Sequence, residues 1–181
     1  MKNINVIFIP GNGGGSTKEN WFPYVQSELE KLGLTVIAEQ FPDPDLARAE
    51  YWLPFLEKLG TDEHTILIGH SSGALAAMRY AEHHNILGSV LVGVAHTDGG
   101  DVKEKASGYF DTPWDWVAIK RNQQWIIEFH STDDPYIAVA EARFVHDKLD
   151  ADYHEFTDRG HFFPADAFPE LIESVTKKLK Q

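Results

Sequence analysis

Ile66-Leu67-Ile68-Gly69-His70-Ser71-Ser72-Gly73-Ala74-Leu75-Ala76-Ala77 decides the fold. Apolar residues run into Gly-x-Ser-x-Gly, and strong helix formers follow. That is the pattern of a strand, a sharp turn and a helix, with a serine pushed out above the end of a sheet. Gly69 and Gly73 remove side chains that would collide where helix and strand close together. The helix begins directly behind Ser71, so free N–H groups and the positive dipole end face any charge that develops there. The competing reading makes Ser71 a helix N-cap and Gly73 a packing glycine.

Outward from this stretch, strands and helices alternate. Asn5–Ile9, Leu34–Ala38, His64–Ile68, Ser89–Val94, Trp125–Phe129 and Tyr153–Phe156 read as strands. Asn20–Leu32, Leu46–Leu59, Ser72–His83, Ala138–Leu149 and Phe168–Leu179 read as helices. The expectation is an α/β fold: a parallel sheet of about six strands with helices on both faces and right-handed crossovers. Over about 95–120 the rhythm breaks. Gly99-Gly100 and Ser107-Gly108 precede Tyr109, Phe110, Trp114 and Trp116. A segment this long is usually functional or mobile, so it reads as a small aromatic-rich insertion forming a lid or pocket wall, with a simple core role as the alternative.

The 181 residues fit one domain over 1–181. A net charge of −12 repels phosphate backbones and anionic membranes, so neither nucleic-acid nor membrane binding is expected. The chain has no cysteine, which excludes disulfides and thiolate chemistry and fits a reducing compartment. The first residues lack the pattern of a secretion signal, and a cytoplasmic location is expected.

Parallel sheets gather ligands at the carboxyl ends of their strands. Four marked loops fall there: Pro10-Gly11-Asn12-Gly13-Gly14-Gly15-Ser16, Ser71, Asp133-Asp134 and His161. The glycine loop does not keep a nucleotide register. Ser16 stands where a third glycine is needed, and Lys18 is followed by Glu19 rather than Ser or Thr. It fits better as a bare backbone that approaches a ligand oxygen. A serine nucleophile needs a base, and the base needs a carboxylate to fix its tautomer. Ser71, Asp134 and His161 occur in the order serine, acid, histidine. Asp133 is the rival acid, with turn formation as its other role. Among nine histidines, His83 and His84 close a helix, His146 and His154 lie within elements, and His70 and His130 are tied to strand ends with little reach. His161 follows a loop glycine and is the expected base. The oxyanion donors would be the N–H of Ser72 with that of Asn12 or Gly13. Trp21, Tyr109, Phe110, Trp114 and Phe162 are the candidates for the substrate pocket. His96 and Asp98 lack a third ligand at workable spacing, so no metal and no cofactor are expected.

Several of these stretches together resemble one family. They are Pro10–Gly15, Gly69-His-Ser-Ser-Gly-Ala74 with Ala77-Met-Arg-Tyr-Ala-Glu82, Ala106-Ser-Gly-Tyr-Phe110, Ser131-Thr-Asp-Asp-Pro135 and Phe156-Thr-Asp-x-Gly-His-Phe162. They look like the retinoblastoma-binding protein 9 family of small serine hydrolases, across nearly the whole chain. The resemblance implies a minimal α/β-hydrolase fold, a triad of Ser71, Asp134 and His161, and aminopeptidase-like activity. One departure stands out. Where the family's pocket-binding segment reads Leu-x-Cys-x-Glu, this chain has Leu59-Gly60-Thr61-Asp62-Glu63. Binding to a retinoblastoma-type pocket is therefore not expected. The function expected is cleavage of small esters or amides through an acyl-enzyme. The alternative is a non-catalytic protein-binding module on the same fold.

Overall fold

The computed structural model describes residues 4–180. Its strands are β1 (Asn5–Ile9), β2 (Thr35–Ile37), β3 (Thr65–His70), β4 (Gly88–Val92), β5 (Trp125–Ser131) and β6 (Asp152–Phe156). Its helices are α1 (Phe22–Lys31), α2 (Ala49–Lys58), α3 (Ser72–His83), α4 (Val102–Ala106), α5 (Trp116–Arg121), α6 (Val139–Leu149) and α7 (Pro169–Leu179). All five strand pairings are parallel, in the order β2-β1-β3-β4-β5-β6. The chain steps from β1 outward to β2, then returns past β1 to β3. The loops after β1 and β3 therefore part in opposite directions, and a crevice opens at their carboxyl ends.

The inner strands β1, β3 and β4 read as largely apolar runs because both sheet faces are covered there, whereas the edge strand β6 is mixed and only partly buried. On one face, Val6, Phe8, Ile66, Ile68, Val90, Val92, Ile127 and Phe129 pack under α1 and α7. On the other, Ile7, Ile9, Leu67 and Leu91 pack under residues of α2, α3, α5 and α6. Alternate residues of each strand thus enter opposite cores. α3 lies deepest, and every residue from Ser72 to Glu82 is buried.

Several boundaries differ from the sequence expectation for local reasons. α1 begins at Phe22 because Asn20 has a positive φ of 53° and Pro23 suits a first turn. α2 begins three residues late. Asp43 closes a turn there, its backbone O accepting from the Ala47 amide at 2.8 Å and its carboxylate from the Arg48 amide at 3.2 Å. β4 stops at Val92 because Gly93 turns to a φ of 61°. The stretch 95–120 holds two helices, and α5 is the crossover from β4 to β5, packed on α3. The βα rhythm therefore continues through it.

Candidate active site

Ser71 sits at the turn between β3 and α3 with φ 55° and ψ −119°, a region that residues with a Cβ rarely occupy. The turn is held from both sides. The Ser71 amide donates to the Val92 carbonyl at 2.8 Å, and its carbonyl accepts from the Ala74 amide at 2.9 Å. A Cβ on Gly69 would collide with the Gly73 backbone, and one on Gly73 with the Ile9 carbonyl, so only glycine permits this approach. Strain of this kind persists only where the surroundings enforce it.

The loops after β5 and β6 bring an acid and a base to the same crevice. His161 Nδ1 lies 2.6 Å from Asp134 Oδ2. A carboxylate accepts, so the ring proton sits on Nδ1 and Nε2 is left as the basic atom. The other Asp134 oxygen accepts from the amides of Tyr136 at 2.9 Å and Ile137 at 3.0 Å. Burial works against the carboxylate, but the His161 bond and charge and these amides outweigh it and hold Asp134 below the usual range. Asp133 points elsewhere. Its Oδ1 accepts from Ser131 Oγ at 2.5 Å and from the Gly160 amide at 2.9 Å, and Ser131 Oγ accepts from the Arg159 amide at 3.1 Å. The two neighbouring aspartates thus divide the work: Asp134 holds the imidazole, and Asp133 holds the loop that carries it.

Two further residues shape this corner. His70 Nε2 donates to the His161 carbonyl at 2.8 Å, and the two rings lie 4.8 Å apart. Burial, then the nearby His161 charge, pushes the His70 imidazole down to about 3, so it is a neutral tether. Gly93 lies against the His161 ring, where a Cβ would stand 3.1 Å from Cε1. Neither role is visible in the sequence, because each depends on a residue far along the chain.

A cavity of about 510 Å³ opens over these groups, lined by Gly11, Asn12, His70, Ser71, Ser72 and His161, with Tyr136 and Phe163 at its edge. Ser72 opens α3, where first-turn N–H groups have no intrahelical acceptor. Of the two alternative donors in the glycine loop, Gly13 is committed elsewhere. Its amide donates to the Asp45 carbonyl at 3.0 Å, as Gly14 does to Pro44. Asn12 lines the cavity, with its side chain donating to Glu104 Oε1 at 2.6 Å. Asp98, Asp101 and Glu104 also line it with Lys103, as does Glu141 of α6, giving the cavity an acidic balance.

The aromatic candidates fall elsewhere, which corrects the expectation for them. Trp21 and Phe162 are buried in the core under α1 and α7. Tyr109 is fully buried in the opposite core. Phe110 and Trp114 line an adjoining hollow with His96, which meets the cavity at Thr97 and Asp98. Buried Arg79 explains this placement. Its guanidinium donates to the carbonyls of Tyr109, Thr112 and Pro113, stacks 3.7 Å from the Trp114 ring and pairs with Glu82 at 2.7 Å. Glu82 in turn accepts from the Asp115 amide at 2.9 Å. Residues 109–115 are pinned to α3, and they are no lid over Ser71.

Comparisons with known proteins identify the family. The family described as Serine hydrolase matches residues 6–181. The chain belongs to that family. This serine hydrolase is 49% identical over 176 residues to Serine hydrolase RBBP9 of Rattus norvegicus, covering 96% of this chain and 94% of that protein. It is 25% identical to Putative hydrolase YdeN of Bacillus subtilis, covering 92% and 90% of the two chains. The crystal structure of the ydeN gene product superposes with a TM-score of 0.88 at 23% identity, covering 99% of this chain and all of that one, 100%. The esterase RhEst1 from Rhodococcus shares the fold at a TM-score of 0.63 and 14% identity, covering 99% and 91%.

Proposed function

We propose that this serine hydrolase cleaves small ester or amide substrates through an acyl-enzyme on Ser71. The observation that carries the reading is the 2.6 Å bond from His161 to Asp134 in the cavity that Ser71 enters. His161 Nε2 takes the Ser71 proton as Oγ bonds to the substrate carbonyl carbon. It then gives that proton to the leaving alcohol or amine as the carbonyl–heteroatom bond breaks. Water repeats the two steps, releasing the acid and restoring the Ser71 hydroxyl. The N–H groups of Ser72 and Asn12 serve the oxyanion, aided by the α3 dipole. The acidic lining of the cavity favours substrates that carry an amine, which supports the aminopeptidase-like activity implied by the family resemblance. No protein partner is needed. Leu59 caps α2 and Thr61 Oγ1 donates back to the Leu56 carbonyl at 2.7 Å, so the segment expected to fail as a pocket ligand closes a helix. The cysteine-free composition suits a cytoplasmic site of action.

The test is covalent labelling by a fluorophosphonate probe, with hydrolysis of a p-nitrophenyl ester alongside. Ser71→Ala should remove labelling and lower turnover by about 10⁴–10⁶, with the melting temperature kept. More than a tenth of wild-type turnover in that variant would overturn the reading.

A further inference from the structure

Two buried titratable groups take no part in the chemistry above. Glu128 and His130 lie two residues apart on β5 and are both 0% exposed. Strand alternation places them on one face, the face that α6 covers. His130 Nε2 lies 3.1 Å from the Ile137 carbonyl. A carbonyl only accepts, so Nε2 carries the proton. Burial keeps the ring neutral, which leaves Nδ1 bare. Among the described residues, none donates to that Nδ1, and neither oxygen of Glu128 has a partner. The groups on the adjoining strand are occupied. Tyr153 and Glu155, the register partners of Glu128 and His130, bond to each other at 2.7 Å, and Arg143 of α6 closes on Glu155 at 2.7 Å. Burial, with the Asp147 charge added, pushes the Glu128 carboxyl up to about 9. Glu128 is then a neutral acid with one O–H to give, on the same face as a ring nitrogen that needs a donor.

We propose that Glu128 and His130 enclose a binding site for one internal water, which accepts from the Glu128 acid and donates to His130 Nδ1. Two residues along a strand stand about 6.6 Å apart at the backbone, a spacing at which one water can bridge their polar ends. The site reaches the reacting groups by hydrogen bonds already described. His130 Nε2 donates to the Ile137 carbonyl, the Ile137 amide donates to Asp134 Oδ1 at 3.0 Å, and Asp134 Oδ2 holds His161. His130 is a positioning residue for the acid loop, and Glu128 fixes its tautomer. This role rests on the reading of Ser71, Asp134 and His161 as the reacting set.

Histidine ¹⁵N spectra of the wild-type protein near pH 7 should show His130 as the Nε2–H tautomer, with a water cross-peak to its ring. An Nδ1–H tautomer or an imidazolium would overturn the proposal. Glu128→Gln keeps a donor and should label with fluorophosphonate within about twofold of wild type. Glu128→Leu should lose the water cross-peak and label about tenfold more slowly, with KM for a small ester unchanged. Labelling of Glu128→Leu at the wild-type rate would also overturn it. A pH series adds an independent check. Folded Glu128 keeps its proton to about 9 while the unfolded carboxyl loses it near 4.5, so wild-type stability falls as pH rises between those values. The melting temperature of Glu128→Gln should therefore gain on wild type steadily from pH 5 to pH 9, and a constant difference would count against the site. Should Glu128→Leu fail to fold, the wild-type spectrum and the Gln series decide. Should wild-type Ser71 not label at all, the reacting set falls while the spectrum still tests the water site.

Discussion

The two walls of the Ser71 cavity are built in different ways. On the β5–β6 side, Asp133, Asp134, Ser131 and His70 fasten the backbone at Arg159, Gly160, His161, Tyr136 and Ile137. On the opposite side, α4 has no buried residue, and Val102 is 81% exposed. Asp101 caps its own helix through the Lys103 and Glu104 amides. The Asn12–Glu104 bond ties α4 to the glycine loop, and burial, against that bond, raises the Glu104 carboxyl. Proton transfer tolerates errors of only about 0.5 Å, so the roles proposed for Asp134 and His161 suit the over-determined wall. The α4 wall, proposed above to favour an amine, is held by few contacts, as suits a surface asked for shape and charge rather than fixed geometry.

The largest test of this contrast lies on the rigid wall. Asp134→Asn should lower ester turnover by roughly 10⁴, because the amide can no longer impose the tautomer that leaves Nε2 basic. Asp133→Asn removes a loop fastening and not the imidazole partner, so its cost should stay near 10² or below. Side-by-side kinetics of the two variants check the division, and the reverse ranking would hand the imidazole to Asp133.

Behind the α4 wall, Tyr109 tests whether the aromatic stretch is core. Tyr109→Ala should lose about 3–5 kcal/mol in chemical denaturation, while the folded fraction labels normally. Tyr109→Phe should be neutral or stabilising, because the buried hydroxyl has no partner among the described residues. A shift in substrate preference without loss of stability would return Tyr109 to the pocket.

The smallest effect belongs to α4. Glu104→Ala should raise KM for an amine-bearing ester by about 2–10-fold, the worth of one partly exposed hydrogen bond, with kcat for a neutral ester little changed. Faster amide exchange in residues 102–106 alone would show that the bond to Asn12 is what holds this wall. An unchanged exchange pattern would show that it is not.

Much of this was legible in the chain. Apolar runs alternating with amphipathic ones specify a parallel sheet, because only strands buried on both faces are apolar throughout. Gly69-His70-Ser71-Ser72-Gly73 announces its turn by its own pattern: Gly69 serves the Gly73 backbone four residues on, although Gly73 in turn makes room for the Ile9 carbonyl on β1. The same reasoning misjudged Trp21, Tyr109 and Phe162, because an aromatic in a loop looks alike whether it faces a cavity or a core. Arg79 decides that question for the stretch 109–115, from a helix about 30 residues earlier. Gly93 and His70 were silent for the same reason: each acts on His161, more than 65 residues further along the chain.

What the sequence determined by itself was the α/β architecture, the serine elbow and the order of serine, acid and histidine, which follow from local patterns and their succession along the chain. What only the tertiary structure decided was which of Asp133 and Asp134 meets His161, whether Asn12 or Gly13 still has an amide to offer, and where the aromatic residues lie. Each of those outcomes depends on where a hydrogen bond or a ring ends up after distant strands pair. A carboxylate, an amide or an indole carries no local mark of the partner that folding will bring to it.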